Sequence, residues 1–316
     1  MTDINHNTSA NRFAGCMLGS ALGDAIGELA FHNPSIERLS LKLEMVKELI
    51  YTDDTAMALG IGESIQERGY LDPEHLGETF RRNFEREPWR GYASGPPTIF
   101  TAVAQKGRTY VEAARSLFGG RGSFGNGAAM RVAPIGLFYH DSLDLYEKVR
   151  LSSIVTHTHP VGIDGSAVQA KAVSLALHHD PSQEFSSEKF LNSLLNFAQT
   201  TQMKNKLLMV QKMITENVSP VRAAQQIGRS VTAPESIPFA IYSFLLHHKS
   251  FKDCLFCAIL NGGDRDTLGA MACAISGAYL GIDELPQIWL KKLENRVYIQ
   301  DLANALMEIK ATDSVI

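Results

Sequence analysis

Two segments of this 316-residue chain carry a small residue at every fourth position. These positions are Gly15, Gly19, Gly23 and Gly27 in "GCMLGSALGDAIG", and Gly269, Cys273, Gly277 and Gly281 in "LGAMACAISGAYLG". A spacing of four places such residues near one face of an α-helix, although each helical glycine costs about 1 kcal/mol relative to alanine. The charged residues nearby argue against a membrane, where such stripes pair helices. The spacing therefore predicts two central helices in mutual contact, whose ends lie near one another.

Apolar residues recur every three or four positions in nine stretches, which is the helical period. The stretches are approximately 13–30, 55–67, 100–118, 163–178, 188–215, 221–228, 236–248, 252–260 and 267–280. Strand patterns are scarce, because two-residue alternation, hairpin turns and strand–helix alternation are almost absent. The sequence predicts an all-α fold of roughly twelve or more helices. We expect one compact domain over 1–316, with 1–11 as a flexible tail.

Charge and composition limit the classes of partner. The chain has 30 lysine and arginine residues against 34 aspartate and glutamate residues, so nucleic acid and anionic membranes are not expected partners. Residues 1–15 lack the basic segment of a signal peptide, and no stretch of about 18 residues is free of charge, as a membrane span would be. We therefore expect a cytoplasmic protein. We also expect a monomer. Cys254 and Cys257 form C-x-x-C, which we interpret as core packing rather than a metal or redox site.

Two acidic motifs stand where helices are predicted to begin. They comprise Thr52, Asp53 and Asp54 in one motif and Asp264, Asp266 and Thr267 in the other. Helix capping explains either motif alone. Together, four carboxylates entering a glycine-packed core would repel one another unless cations lay between them. Aspartate and threonine oxygens suit magnesium or manganese rather than zinc, so the pair of motifs predicts a site for hard cations.

The stretch "FGGRGSFGNGAAMR", residues 118–131, is a glycine-rich loop that runs into a helical segment. Backbone amides freed by glycine can bind an anion, but the loop lacks the Lys-Ser or Lys-Thr of a P-loop, and a plain turn explains it equally well. His157 has three readings: metal ligand, stacking partner for a base, or polar turn residue. Glu28, just after the first glycine stripe, is either a surface residue or an acid directed at the metals.

These motifs, in this order, resemble those of the ADP-ribosylglycohydrolase family. The matching stretches are "GCMLGSALGDAIG", "YTDDTAMA", "GSFGNGAAMR", "ESIPFAIYSFL" and "GGDRDTLGAMACAISGAYLG". The resemblance runs from about residue 12 to residue 305, and "GSFGNGAAMR" and "ESIPFAIYSFL" look most like the type-3 (ADP-ribosyl)hydrolase branch.

The resemblance implies an all-α domain that holds two magnesium ions, with manganese as the alternative. The implied metal ligands are Thr52, Asp53, Asp54, Asp264, Asp266 and Thr267. The implied substrate-binding residues are Phe118, Gly122, Ser123, Phe124, Gly125, Asn126, His157 and Ile241. Phe118 and His157 would flank the adenine, and the glycine loop would bind the diphosphate and inner ribose.

Two positions depart from the family pattern. Phe124 stands where the type-3 branch tends to have tyrosine, and Phe31 stands where the family commonly has a glutamate. Glu28 precedes Phe31 by three residues and lies on roughly the same helix face, so it is the candidate for the substitute acid. Asp53, Asp54 and Asp266 are the other candidate catalytic residues.

The implied activity is magnesium-dependent release of ADP-ribose from serine-type O-linked protein or from ADP-ribose polymer. The alternatives are hydrolysis of an arginine N-glycosidic bond, as in the dinitrogenase-reductase-activating branch, and non-catalytic binding of ADP-ribose.

Overall fold

The computed structural model describes residues 6–180 and 182–313, and within these ranges it consists of helices joined by loops, with two isolated β-bridges and no strand. The α-helices are α1 His6–His32, α2 Ile36–Met45, α3 Asp53–Arg68, α4 Pro73–Arg86, α5 Gly95–Lys106, α6 Tyr110–Arg115, α7 Leu117–Gly120, α8 Ala133–Phe138, α9 Leu145–Ser153, α10 Pro160–His178, α11 Ser187–Phe197, α12 Thr201–Thr215, α13 Pro220–Ile227, α14 Ala233–Leu246, α15 Phe251–Leu260, α16 Arg265–Leu280, α17 Gln287–Leu290 and α18 Arg296–Asp313. Short 3₁₀ turns span Asn126–Ala128 and Ile282–Glu284. The predicted all-α fold is confirmed.

The central feature is the antiparallel contact between α1 and α16, which is made by the two glycine stripes. A Cβ atom on Gly15 would lie 2.5 Å from the Gly277 carbonyl oxygen, and one on Gly19 would lie 2.7 Å from the Cys273 carbonyl oxygen. Such distances leave no room for a larger side chain, because the obstructing atoms belong to the backbone. The predicted contact is confirmed, and it brings the end of α1 beside Arg265 and Asp266 at the start of α16.

The remaining helices surround this pair. Helices α10, α14 and α15 pack against α16, while α18 packs against α1 and α3. A hydrophobic core runs through the described residues, and it includes Cys254 and Cys257, which are buried free thiols in α15. The expected core role of this C-x-x-C pair is therefore confirmed. None of the described helices is long and apolar enough to span a membrane.

Helix boundaries differ from the sequence pattern where caps interrupt it. The stretch 188–215 divides into α11 and α12, because Thr200 caps α12 by accepting a hydrogen bond from the Met203 N–H at 3.3 Å. Residues 6–11, which were expected to belong to a flexible tail, are helical. Helix α1 begins at His6, and Asn11 donates a hydrogen bond to Asp283 at 2.7 Å. Residues 1–5, 181 and 314–316 lie outside the described residues.

Candidate active site

One cavity of about 530 Å³ is bordered by the starts of α3 and α16 and by the glycine-rich loop. This volume lies in the range of about 300–1,000 Å³ that is typical of small-molecule sites. Its lining includes twelve of the residues that the sequence singled out: Asp53, Asp54, Asp264, Asp266, Thr267, Phe118, Gly122, Ser123, Phe124, Gly125, Asn126 and His157. Residues from distant parts of the chain thus meet in a single pocket.

The acidic end of the cavity is built on two helix N-termini. Thr52 is the N-cap of α3, and its hydroxyl accepts a hydrogen bond from the Asp54 N–H at 3.3 Å. Because threonine performs the capping, the carboxylates of Asp53 and Asp54 are not needed for it. Asp54 is buried, and its Oδ2 has no hydrogen-bond partner among the described residues. Capping alone therefore does not explain the second aspartate.

The carboxylates raise one another's pKa values. Burial, followed by the charge of Asp24, raises the pKa of Asp53 to about 7. Burial, followed by the charge of Asp264, raises the pKa of Asp266 to about 8. The pKa of Asp54 is raised well above its ordinary value by burial and by the charge of Asp266. These mutual effects show that the two motifs converge, and that full ionisation of the cluster is unfavourable without a compensating charge.

The donor set fits divalent cations of the magnesium type. It offers hard oxygen donors, an unpartnered buried Oδ2 on Asp54 and four aspartates against two arginines in the lining. In the described ranges, no three histidine, cysteine, aspartate or glutamate side chains are already grouped around a single point. The candidate oxygen donors therefore line one cavity without forming a ready-made cluster of three such side chains among the described residues.

Asp24 is an important residue that the sequence reasoning missed. It is completely buried in α1, and its carboxylate accepts hydrogen bonds from the Thr52 N–H at 3.0 Å, the Thr55 N–H at 3.0 Å and the Thr55 hydroxyl at 2.6 Å. These bonds tie the start of α3 to α1. Burial raises the pKa of Asp24 to about 6. An acidic residue inside a glycine stripe is the sequence signal that could have revealed it, because an apolar helix interface rarely includes one.

The glycine-rich end of the cavity presents backbone rather than carboxylates. Gly122 has φ of +72°, and Phe118 has φ of +53° with a side chain 61% exposed at the cavity. The N–H groups of Ser123 and Phe124 have no hydrogen-bond partner within the described parts of the chain. Free amides of this kind can bind an anionic ligand.

A segment that we call the strap, residues 229–233, joins the two ends of the cavity. The Asp264 N–H donates to the Arg229 carbonyl at 3.0 Å, and the Asn126 N–H donates to the Val231 carbonyl at 2.9 Å. Asn126 also donates through Nδ2 to Asp264 Oδ2 at 2.7 Å. The strap was not foreseen, because its backbone hydrogen bonds leave no pattern in the side chains.

Of the sequence candidates, Glu28, Thr52 and Ile241 do not line the cavity. Ile241 was expected to line the pocket. It is instead completely buried in α14, in the core of the protein. The Ile241 side chain packs within the helix bundle. Glu28 is exposed beyond the acidic end, although its charge contributes to raising the pKa of Asp266. Phe31, at the position of the family glutamate, is 42% exposed.

Comparison with known proteins places this geometry in a family. The family model described as ADP-ribosylglycohydrolase matches residues 5–314, and the chain belongs to the ADP-ribosylglycohydrolase family. A human relative named ADP-ribosylhydrolase ARH3 is 32% identical, covering 95% of this chain and 94% of its own length. An uncharacterised protein of Archaeoglobus fulgidus is 31% identical over 94% of this chain and 96% of its own.

The fold also matches a solved structure. A chain of an "ADP-ribosylglycohydrolase-related protein complex" superposes with a TM-score of 0.68 at 24% identity, covering 96% of this chain and 99% of that chain. At this identity the match establishes the fold.

Proposed function

We propose that this protein is a magnesium-dependent hydrolase that releases ADP-ribose from serine-type O-linked ADP-ribosylated protein or from ADP-ribose polymer. The observation that carries the proposal is the single cavity in which acidic motifs from α3 and α16 face the glycine-rich loop. Relatives named ADP-ribosylhydrolase ARH3 that cover most of this chain support an ADP-ribose-removing hydrolase.

The two ends of the cavity suit the two ends of ADP-ribose. The unpartnered amides of Ser123 and Phe124 would bind the negative diphosphate, with Phe118 and His157 beside the adenine. This orientation would place the distal ribose, whose anomeric carbon carries the protein linkage, at the acidic end.

Two magnesium ions, or manganese ions, would be held by Asp53, Asp54, Asp264, Asp266 and Thr267, with Thr52 at the edge of this set. When bound, they would supply positive charge that binds ribose hydroxyls and orients a water molecule. Glycosidic cleavage passes through an oxocarbenium-like state, which requires a rigidly held ribose and a base for the attacking water.

The protein's own groups have separable roles in this reaction. Asp24 holds the Thr52–Thr55 turn, so Asp53 and Asp54 are presented from a fixed backbone. One of the clustered aspartates would take the proton of the attacking water. Glu28, which is exposed near the end of α1, is the proposed acid for the leaving group.

The exposed Glu28 and the phenylalanine at position 31 favour a second candidate, which is a non-catalytic ADP-ribose binder. Hydrolysis of arginine-linked ADP-ribose is the alternative within the enzymes. Both are outcomes of the same experiment.

The experiment measures ADP-ribose release from matched serine-linked and arginine-linked ADP-ribosyl peptides and from ADP-ribose polymer, with Mg²⁺, with Mn²⁺ and with EDTA. We expect release from the serine-linked peptide or the polymer, dependent on the metal and abolished by Asp266→Ala. Release from the arginine peptide alone would support the alternative linkage. Tight ADP-ribose binding without any turnover would identify a binder.

A further inference from the structure

Arg131 is a buried cation in the lining of the cavity, and the proposed reaction does not use it. Its side chain is only 1% exposed, and its guanidinium lies 4.6 Å from the ring centroid of Phe80. Burial lowers its pKa to about 9, which leaves it charged at neutral pH. A buried charge is costly unless it is paired and hydrogen-bonded, and here the charge of Asp53 favours the charged form of Arg131.

Those hydrogen bonds lead to a residue of the cavity wall. Arg131 Nη2 donates to the Thr156 hydroxyl at 2.8 Å and to the Ser152 carbonyl at 3.2 Å. The Thr156 hydroxyl lies 2.8 Å from Nδ1 of His157. The chain Arg131, Thr156, His157 therefore connects a permanent donor to an imidazole ring that lines the pocket.

Which group donates in each of these hydrogen bonds is determined by Arg131. Arginine only donates, so the Thr156 oxygen accepts from Arg131 and its own proton remains to be placed. Among the described residues, that hydroxyl has no acceptor other than His157 Nδ1. If Nδ1 carried a proton, the hydroxyl would accept twice and its buried proton would be left without a partner, which is unfavourable.

The second nitrogen of the ring, Nε2, lies next to Gly125 and Gly127 of the loop that lines the cavity. His157 is 8% exposed, and Nε2 has no hydrogen-bond partner in the described ranges. A Cβ atom on Gly127 would lie 3.0 Å from Nε2 and 2.8 Å from Cε1, so glycine at 127 keeps this edge of the ring clear. Burial, followed by the charge of Arg131, lowers the pKa of His157 to about 3, so the ring is neutral.

We infer that Arg131, acting through Thr156, fixes His157 in its Nε2–H form and makes that nitrogen a hydrogen-bond donor to an acceptor atom of the bound nucleotide. Arg131 and Thr156 are positioning residues, and His157 is the group that contacts the ligand. This inference rests on the proposed function for the identity of the ligand, but not for the protonation of the ring.

The first measurement is a long-range ¹H–¹⁵N correlation spectrum of the ligand-free, ¹⁵N-histidine-labelled protein. The chain has 10 histidines, so loss of one set of signals in His157→Phe would assign His157. We expect a protonated Nε2 and a bare Nδ1. In Thr156→Val, which keeps the shape but removes the hydroxyl, we expect the Nδ1–H form to appear, while Thr156→Ser should retain the wild-type form.

The second measurement is calorimetry of ADP-ribose binding to the same variants, with circular dichroism to confirm that each is folded. Loss of one neutral hydrogen bond should make Thr156→Val bind roughly 10-fold more weakly, and Thr156→Ser should recover most of the affinity.

An Nδ1–H ring in the wild type, or an unchanged ring in Thr156→Val, would overturn the positioning role. A changed ring with unchanged affinity would overturn the contact with the ligand. Failure of the wild type to bind ADP-ribose would instead count against the proposed function, because the spectrum of the ligand-free protein would still decide the tautomer.

Discussion

The two ends of the cavity are built in opposite ways. The acidic end uses side chains on the first turns of α3 and α16, and these turns are held by the glycine contact of α1 with α16 and by Asp24. The glycine-rich end uses backbone amides of a loop, which is held to its surroundings by hydrogen bonds from the strap.

The two ends therefore offer a ligand different groups, since the acidic end carries carboxyl side chains and the loop end carries backbone hydrogen-bond donors. At the acidic end the positions are rigid and the electrostatics are unfavourable, since the pKa of Asp266 is raised to about 8 by burial and nearby carboxylates. At the loop end the amides of Ser123 and Phe124 are free but uncharged. At the acidic end, a substitution that removes a carboxyl group should therefore raise stability and lower activity. At the loop end, a substitution should mainly change the affinity for the ligand.

The largest effect is expected from Gly23→Val. A Cβ atom at this position would overlap the Gly269 backbone and lie 2.9 Å from the Ala270 nitrogen, so α1 and α16 could not remain in contact. We expect a loss of about 3 kcal/mol or more in the free energy of unfolding, measured by urea denaturation. Gly95→Ala is the control, because its Cβ would meet only Leu117 Cδ1, at 3.8 Å. Equal stability of the two variants would contradict the close helix contact.

Asp54→Asn should have opposite effects on activity and stability. Loss of a ligand should reduce ADP-ribose release by about 10³-fold, because the metals are expected to supply several kcal/mol of transition-state stabilisation. In EDTA the same variant should unfold at a higher temperature than the wild type, because it removes a buried carboxyl whose ionisation is disfavoured by burial and by the neighbouring carboxylates. Reduced stability without metal would show that Asp54 is structural.

Gly122→Ala should weaken ADP-ribose binding by roughly 10-fold while sparing the metals, because it strains the loop without touching a carboxylate. Its Cβ would clash with the Thr158 hydroxyl and lie 3.0 Å from the His159 nitrogen. Gly119→Ala has a similarly positive φ of +68° but nothing within 4 Å, so it controls for strain alone. If Gly122→Ala lost Mg²⁺-induced thermal stabilisation as well as ligand affinity, the two ends of the cavity would not act independently.

The smallest effect is a dependence of stability on pH. Folding raises the pKa of Asp24 to about 6, of Asp53 to about 7 and of Asp266 to about 8, from about 4 in the unfolded chain. The folded state therefore binds more protons, and its stability should fall as pH rises from about 4 towards 8. In EDTA we expect the melting temperature to drop by about 5 °C between pH 5 and pH 8.

If the proposed magnesium site exists, magnesium should oppose this decline, because it would bind the ionised carboxylates and stabilise more at pH 8 than at pH 5. Asp54→Asn should show a shallower decline in EDTA, since a member of the cluster is gone. A wild-type melting temperature that rises from pH 5 to pH 8 in EDTA would contradict the raised pKa values.

Much of the scaffold was visible in the sequence. The spacing of Gly15, Gly19 and Gly23 predicted the α1–α16 contact, because a helix repeats every 3.6 residues and only glycine permits so close an approach. The break between α11 and α12 was missed, since the apolar period continues through the cap at Thr200. Ile241 was placed at the pocket by the family resemblance, but it is completely buried in α14, whose apolar residues lie all round the helix.

By itself the sequence determined the class of fold, the contact between two glycine-striped helices and the residue types available for a hard-cation and anion site. Only the tertiary structure decided that Asp54 and Asp266 face each other's charge, that Asp24 anchors the start of α3, and that the strap joins the loop to Asp264. Local periodicity is set within a few residues along the chain. The distance between two motifs that lie some 210 residues apart depends on the packing of every helix between them.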